Sequence, residues 1–252
     1  MRRFGPRNPD SLDRVPVLQL LPNMVTLAGM CVGLTSIRFA MDERFGVAVF
    51  LLLVAAVMDG LDGLIARRLQ ATSEIGAQLD SLSDFLCFGV APGVLIYQFH
   101  LAPAGSLGWI FVLVFAAATC LRLARFNVMS GKAQEDDTAN THFVGVPAPA
   151  GAMLALMPAF ATLGGVVDFH QVPLLVAAWI GVVALLMISK VRTLSPKSIR
   201  VPRRLIGPIM FALVIGVGLT FSRPWALLLV LDLVYLGLVI RSLAAARWRL
   251  FG

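Results

Sequence analysis

Long apolar runs alternate with short polar stretches along nearly the whole chain. Most of the runs approach the roughly 20 residues that an α-helix needs to cross a bilayer. Eight such segments can be delimited, at residues 23–40, 46–66, 75–99, 107–127, 145–164, 173–189, 205–221 and 225–242. The pattern predicts an all-α, polytopic membrane protein with about eight transmembrane helices.

The segment before the first span has a different pattern. Residues 11–21 are apolar on one side, and Pro16 interrupts them. Such a stretch is typical of a helix that lies in the membrane interface, broken near the proline. We therefore predict an N-terminal segment, residues 1–22, that contains an interfacial helix and lies in the cytoplasm.

Composition agrees with a membrane protein. With 58% hydrophobic and 14% charged residues, the chain has too little polar surface for a soluble domain of 252 residues. Its three cysteines lie in separate apolar segments, so neither a disulfide framework nor a zinc site is indicated.

The basic residues are distributed unequally between the two sides of the predicted spans. If the N-terminus is cytoplasmic, 18 of the 21 lysines and arginines fall on the cytoplasmic side, and only Arg38, Arg44 and Arg223 do not. The positive-inside rule then places both termini in the cytoplasm, for a multi-pass protein of the inner (cytoplasmic) membrane. The net charge of +7 suits membrane lipids and an anionic substrate, whereas loops this short argue against a nucleic-acid partner.

Four aspartates interrupt the second and third apolar segments. Asp59 and Asp62 lie near the cytoplasmic end of one, and Asp80 and Asp84 near the cytoplasmic start of the next. Each pair has helical spacing, so each occupies one helix face, roughly 7–12 Å deep for the first pair at 1.5 Å per residue. An aspartate at mid-span costs about 2.5–3.5 kcal/mol, so the cluster needs counter-charges.

The chemistry around these aspartates indicates a metal site. Oxygen ligands without His or Cys nearby favour hard divalent ions such as Mg²⁺ or Mn²⁺. Two ions would neutralise about four carboxylates and leave coordination positions for a diphosphate. Gly60, Gly63 and Gly76, and to a lesser degree Ala66, would let a backbone or ligand approach closely, and Arg67 could pair with a phosphate. The same carboxylates could also serve as the ion relay of a cation-coupled transporter, or in helix pairing.

The stretch 59–84 carries a family resemblance. It reads DGLDGLIARRLQATSEIGAQLDSLSD and resembles the CDP-alcohol phosphotransferase motif D-x2-D-G-x2-A-R-x8-G-x3-D-x3-D at every fixed position. The resemblance implies a membrane enzyme that displaces CMP from a CDP-linked lipid with an alcohol. It also implies that Asp59, Asp62 and Asp80 bind metal, and that Asp84 is the catalytic base and a further metal contact.

The resemblance extends to other residues and to the domain organisation. Residues that it assigns to CDP binding are Asn23, Thr26, Gly63, Ala66, Arg67 and Gly76. Alternatively, Asn23 caps the first span, Thr26 bonds back to its own helix, and the glycines are packing contacts. The family implies a homodimer and a six-helix catalytic core, here residues 23–204. Two further helices and a tail, residues 205–252, would then serve packing or assembly.

Four shorter stretches resemble bacterial phosphatidylserine synthases: Pro22–Thr26, Asp84–Pro92, Leu121–Asn127 and Phe143–Ala150. They imply CDP-diacylglycerol as the donor and L-serine as the acceptor. Glycerol phosphate, inositol phosphate and choline are the rival acceptors. Arg122 and Arg125, one turn apart, could bind the serine carboxylate or a lipid phosphate, or could extend to the headgroups as interfacial anchors.

Overall fold

The computed structural model describes residues 17–69, 73–135, 145–189, 216, 218–220 and 222–245. All regular structure within these residues is helical, as predicted. The helices are α1 (Val17–Met41), α2 (Phe45–Leu69), α3 (Glu74–Phe85), α4 (Ala91–Ile96), α5 (Gly105–Glu135), α6 (Ala148–Leu163), α7 (Pro173–Ile188) and α8 (Pro224–Ala245). Four helical stretches are long and apolar enough to cross a membrane, namely Leu20–Met41, Phe45–Leu69, Glu74–Met129 and Pro224–Ala244, and α6 and α7 are shorter apolar helices. The protein is therefore a polytopic helical membrane protein.

The long stretch Glu74–Met129 is two antiparallel passes rather than one. A 3₁₀ turn at Ala102–Ala104 ends the first pass, and Gly105 follows with φ 56° and ψ −131°. Glycine is suited to this position because a side chain would be strained at such backbone angles. Helix α5 consequently folds back on the chain that precedes it, as the separate third and fourth predicted segments require.

The first of these passes contains two wide helical turns. Residues Leu86–Val90 and Tyr97–Leu101 form π-helical turns, on either side of α4. Each turn ends two residues before a proline, Pro92 or Pro103. A proline lacks an N–H group and its ring clashes with the carbonyl group four residues earlier, and a wider turn relieves that clash. One π turn therefore begins two residues after Asp84.

The helices pack into a bundle around α6. Helices α1 and α2 form an antiparallel hairpin through a tight turn, α5 packs on α7, and α6 contacts both α7 and α8. Small residues let α6 approach its neighbours, since a Cβ on Gly151 would collide with the Met187 side chain of α7. Helix α8 also packs against α6, where a Cβ on Gly164 would lie 3.5 Å from Cβ of Trp225.

Three connections meet at one end of the bundle. The ring of Phe45, at the start of α2, stacks on Phe99 at 4.2 Å, and Phe99 lies 4.9 Å from His170 in the α6–α7 loop. At this end, Trp225 of α8 lies beside Gly46, whose Cβ would be 3.6 Å from the indole. The opposite end therefore contains the end of α2, the start of α3 and the end of α8.

A histidine pair fixes the α6–α7 loop at this first end. His100 is fully buried, its Nε2 lies 3.0 Å from Thr162 Oγ1, and its ring stacks on His170 at 4.8 Å. The backbone N–H of His170 donates to Asp168 Oδ1 at 3.0 Å, and the imidazole contacts the same oxygen at 2.7 Å. These hydrogen bonds hold the pKa of Asp168 below its usual value.

Seven of the eight predicted apolar segments correspond to described helices. The first six match α1, α2, the α3–α4 pass, α5, α6 and α7, and the eighth matches α8. The seventh, 205–221, falls mostly outside the described residues, so the total of eight spans stays a prediction.

The N-terminal expectation needs correction. A separate interfacial helix over 11–21 is wrong for residues 17–21, because α1 begins at Val17 and continues through Pro22 into the first span. Pro22 is the sixth residue of α1, so its missing N–H costs the helix one intrahelical hydrogen bond without ending it. Residues 11–16 lie outside the described part of the chain.

Candidate active site

The structure brings the four aspartates together. Carboxylate oxygens of Asp59, Asp62 and Asp80 all lie within 4.8 Å of one another. The carboxyl group of Asp84 contacts that of Asp59, and Asp84 Oδ1 is buried without a hydrogen-bond partner among the described residues. The predicted meeting of the two pairs is therefore observed.

A helix cap sets the start of α3 and thereby the position of two of these carboxylates. Ser73 has extended backbone angles, and its side chain accepts a hydrogen bond from the N–H of Gly76 at 3.0 Å. This N-cap fixes the first turn, which begins only a few residues after α2 ends. Asp80 and Asp84 then lie one turn apart on the face that meets α2.

Helix α1 supports the cluster from a third side. The Thr26 hydroxyl donates to Asp62 Oδ2 at 2.5 Å and lies 3.0 Å from the carbonyl oxygen of Pro22. Ser83 Oγ in turn bonds the Thr26 carbonyl group at 3.5 Å. Thr26 thus contacts its own helix backbone and also orients the carboxylate of Asp62. Asp62 is buried, with only 3% of its surface exposed.

The donor set fits a divalent cation. All candidate ligands are carboxylate oxygens, which suit hard ions, and a buried oxygen of Asp84 lacks a partner. Within the described residues, no lysine or arginine forms an ion pair with any of the four. Carboxylates this close repel one another unless cations neutralise them, so the cluster can hold metal.

A cleft of about 200 Å³ opens beside the carboxylates, where α1, α2 and α3 meet. It contains all six residues that the sequence assigned to CDP binding, together with two of the aspartates. Its lining residues are Pro22, Asn23, Thr26, Asp62, Gly63, Ala66, Arg67, Ser73, Gly76, Ala77 and Asp80. The structure therefore gathers the residues predicted to bind the nucleotide around one space next to the candidate metal ligands.

The glycines differ in what their missing side chains allow. A Cβ on Gly76 would lie 2.8 Å from Asn23 Oδ1 and 3.0 Å from Ser73 Oγ, so glycine lets the Asn23 side chain of α1 reach α3. A Cβ on Gly60 would have no neighbour within 4 Å among the described residues, so no other helix approaches closely there, and the approach of a ligand stays a prediction.

Arg67 lies over Gly63 at the rim of the cleft. A Cβ on Gly63 would be 3.5 Å from Nη1 of the guanidinium, which shows that the arginine folds back along its own helix. No carboxylate among the described residues pairs with Arg67. The guanidinium is therefore available to an anion bound in the cleft.

The two arginines of α5 have different environments. Arg122 Nε donates to the Val146 carbonyl oxygen at 2.7 Å, and the guanidinium lies within electrostatic range of Asp84. Arg125 Nη1 donates to the Ile188 carbonyl oxygen at 2.8 Å, at the exposed end of α7. Neither arginine lines the cleft. Arg122 interacts electrostatically with Asp84, whereas Arg125 is an anchor between helices.

Sequence reasoning missed some residues of the cleft. Pro22 and Ala77 carry no chemical signal, and they enter the lining because of where the helices pack. Ser73 could have been found, since a serine directly before an acidic residue and an amphipathic helix is typical of an N-cap.

The residues of this site all fall within the match to a known protein family. A family model described as CDP-alcohol phosphatidyltransferase matches residues 19–188, which include all four aspartates and every residue of the cleft. The chain belongs to this family. As a CDP-alcohol phosphatidyltransferase it is a member of a transferase family, so the alternative of a cation-coupled transporter is not supported.

Similar curated proteins share one name. The chain is 33% identical over 240 residues to a protein from Mycobacterium tuberculosis, covering 92% of this chain and 80% of that protein. It is 34% identical over 231 residues to one from Mycobacterium leprae, covering 92% and 77%. A Bacillus subtilis protein is 29% identical over 175 residues, covering 69% and 90%. Each is named CDP-diacylglycerol–serine O-phosphatidyltransferase.

Proposed function

We propose that this protein transfers the phosphatidyl group of CDP-diacylglycerol to the hydroxyl of L-serine, giving phosphatidylserine and CMP. The observation that carries the proposal is the juxtaposition of four carboxylates with a cleft that contains the whole predicted nucleotide set. The names of the relatives, and the four stretches similar to bacterial phosphatidylserine synthases, favour serine as the acceptor.

Divalent ions are part of this proposal. Asp59, Asp62, Asp80 and Asp84 would hold Mg²⁺ or Mn²⁺, and two ions would balance about four negative charges. When bound, such ions neutralise a diphosphate and stabilise the charge that develops as CMP departs.

The cleft residues bind and orient the donor. Asn23 and Thr26 approach the nucleotide from α1, and Gly63, Ala66 and Gly76 present little side-chain bulk from α2 and α3. Arg67, which has no carboxylate partner in the described structure, offers two parallel N–H groups to a phosphate. The diphosphate is thereby held against the carboxylate cluster.

Asp84 acts as the general base. A serine hydroxyl is too weak an acid to attack unaided at neutral pH, so its proton passes to Asp84 as the oxygen bonds to the β-phosphorus. The bond from this phosphorus to the oxygen of CMP breaks with inversion of the phosphoryl group, and the electron pair leaves with CMP. Oδ1 of Asp84, which has no hydrogen-bond partner among the described residues, has lone pairs free for this proton.

The distribution of charge supports a cytoplasmic site. Basic residues described at the site end of the bundle are Arg67, Arg68, Arg122, Arg125 and Arg241, whereas Arg38, Arg44 and Arg223 lie at the other end. By the positive-inside rule the site end faces the cytoplasm, with both termini on that side of the inner membrane. Serine and CMP then exchange with the cytoplasm while the acyl chains stay in the bilayer. The homodimer implied by the family remains a prediction.

CMP release by the purified protein in detergent tests the proposal. Release from CDP-diacylglycerol should require both serine and Mg²⁺ or Mn²⁺, and the Asp84→Asn variant should lose turnover while remaining folded. Asp232→Asn is a matched control, because Asp232 is also a buried intramembrane aspartate but interacts with none of the four. Glycerol phosphate, inositol phosphate and choline are tested in parallel. Release that needs no alcohol, or that only another alcohol supports, contradicts the proposal.

A further inference from the structure

Helix α8 lies outside the family match, yet it buries polar groups. The hydroxyl oxygen of Tyr235 is buried and has no hydrogen-bond partner among the described residues. A buried polar group without a partner destabilises the folded protein, so native structures usually provide one. A helix used only for packing would not need a hydroxyl at this position.

Tyr235 lies near the middle of α8. Helix α8 starts at the end away from the cleft, where Trp225 lies beside Gly46, and it runs toward the site end. Tyr235 lies ten residues before Ala245, and Asp84 lies ten residues after Glu74, each about 15 Å along its helix at 1.5 Å per residue.

The surroundings of Tyr235 connect it to the aspartates. Its ring packs against the buried core that includes Phe88, Leu123 and Val146. Its hydroxyl lies within electrostatic range of the Arg122 guanidinium, which is itself within range of Asp84. Arg122 thus interacts electrostatically with both Tyr235 and the proposed base.

The hydrogen bonds of Arg122 leave donors free. Nε is used by the Val146 carbonyl group, and the two terminal amino groups have no partner in the described part of the chain. The guanidinium edge and the phenol, which both lack hydrogen-bond partners among the described residues, are within electrostatic range of each other. Such a set is complementary to an anion, and a carboxylate can accept from both.

We propose that Tyr235 is a specificity-determining residue, whose hydroxyl, together with Arg122, binds the anionic group of the acceptor alcohol. The inference rests on the proposed function, in which that group is the serine carboxylate. Binding of the carboxylate by Tyr235 and Arg122 leaves the serine hydroxyl directed toward Asp84. The last helix then contributes to the site itself, beyond the packing or assembly role expected from the sequence.

The Tyr235→Phe variant tests the inference, because it removes only the hydroxyl. We expect the KM for serine to rise about tenfold, as for the loss of one hydrogen bond to a charged group. The kcat and the KM for CDP-diacylglycerol should change by less than about twofold, since those steps do not use the anionic group. Tyr97→Phe is the matched control, because Tyr97 packs edge-on against Trp109 away from the site and should leave all three values unchanged.

Measurements with different acceptor alcohols distinguish a failure of this inference from a failure of the proposed function. If the unchanged protein uses serine and Tyr235→Phe leaves the KM for serine unchanged, the inference is overturned while the function stands. If the unchanged protein uses only an alcohol phosphate, and the KM for that substrate is higher in Tyr235→Phe, the proposed acceptor is wrong but the anion site is supported. A lower kcat, equally raised KM values for serine and for CDP-diacylglycerol, and a lower Tm would together show a structural role and overturn the inference.

Discussion

Thr26 provides a direct test of how the aspartate cluster is organised. Its hydroxyl donates to Asp62 Oδ2 at 2.5 Å, and only 3% of the Asp62 surface is exposed. Replacing Thr26 by valine keeps the branched shape and removes the hydroxyl. Asp62 would remain buried but would lose the donor that fixes its orientation.

The size of the effect follows from that hydrogen bond. A hydrogen bond to a charged group contributes about 1.5–3 kcal/mol, and removal of a group that orients a metal ligand typically costs about 10–100-fold in metal affinity. The back-bond to the Pro22 carbonyl group is lost as well, but bonds of this type add little to helix stability. We therefore expect the Thr26→Val variant to need about 10–100 times more Mg²⁺ for half-maximal activity.

The assay is CMP release as a function of Mg²⁺ concentration at saturating substrates, with Tm recorded in parallel. Thr35→Val is the control. Thr35 also lies on α1, and its hydroxyl donates to the carbonyl oxygen of Cys31 at 2.7 Å, but it contacts no carboxylate among the described residues. Activity should recover in Thr26→Val at high Mg²⁺. An unchanged Mg²⁺ requirement, or an equal shift in both variants, would refute the role given to the Thr26–Asp62 hydrogen bond.

Two further predictions concern the cleft. In the Gly76→Ala variant the new Cβ would lie 2.8 Å from Asn23 Oδ1, so Asn23 must move and the KM for CDP-diacylglycerol should rise. The control is Gly237→Ala, at an exposed position of α8 with open space around it, which should leave that KM unchanged. In Arg67→Lys the paired N–H groups are lost, and we expect the KM for CDP-diacylglycerol to rise about tenfold, the effect of one charge-assisted hydrogen bond. Arg68→Lys is the neighbouring control, and equal effects at the two positions would show that charge at the interface, rather than a specific phosphate contact, is responsible.

Much of the site could be predicted because it depends on short-range geometry. Helical periodicity puts Asp59 and Asp62 on one face, and the short connection to α3 makes Asp80 and Asp84 meet them. The positions of Asn23 and Thr26 were harder to predict from residues alone. They lie far from the aspartates in sequence, and their place in the cleft depends on how α1 packs against α2 and α3.

The sequence by itself determined the seven apolar helices that the described residues contain, and the meeting of the carboxylates. The length of an apolar helix and the cost of burying charge in lipid allow few other arrangements. Only the tertiary structure decided that α1 runs unbroken through Pro22 and that π turns precede Pro92 and Pro103. It also decided that Tyr235 lies within electrostatic range of Arg122. These features depend on side-chain packing between helices distant in sequence, and an apolar span carries almost no pattern that shows which of its faces will meet which neighbour.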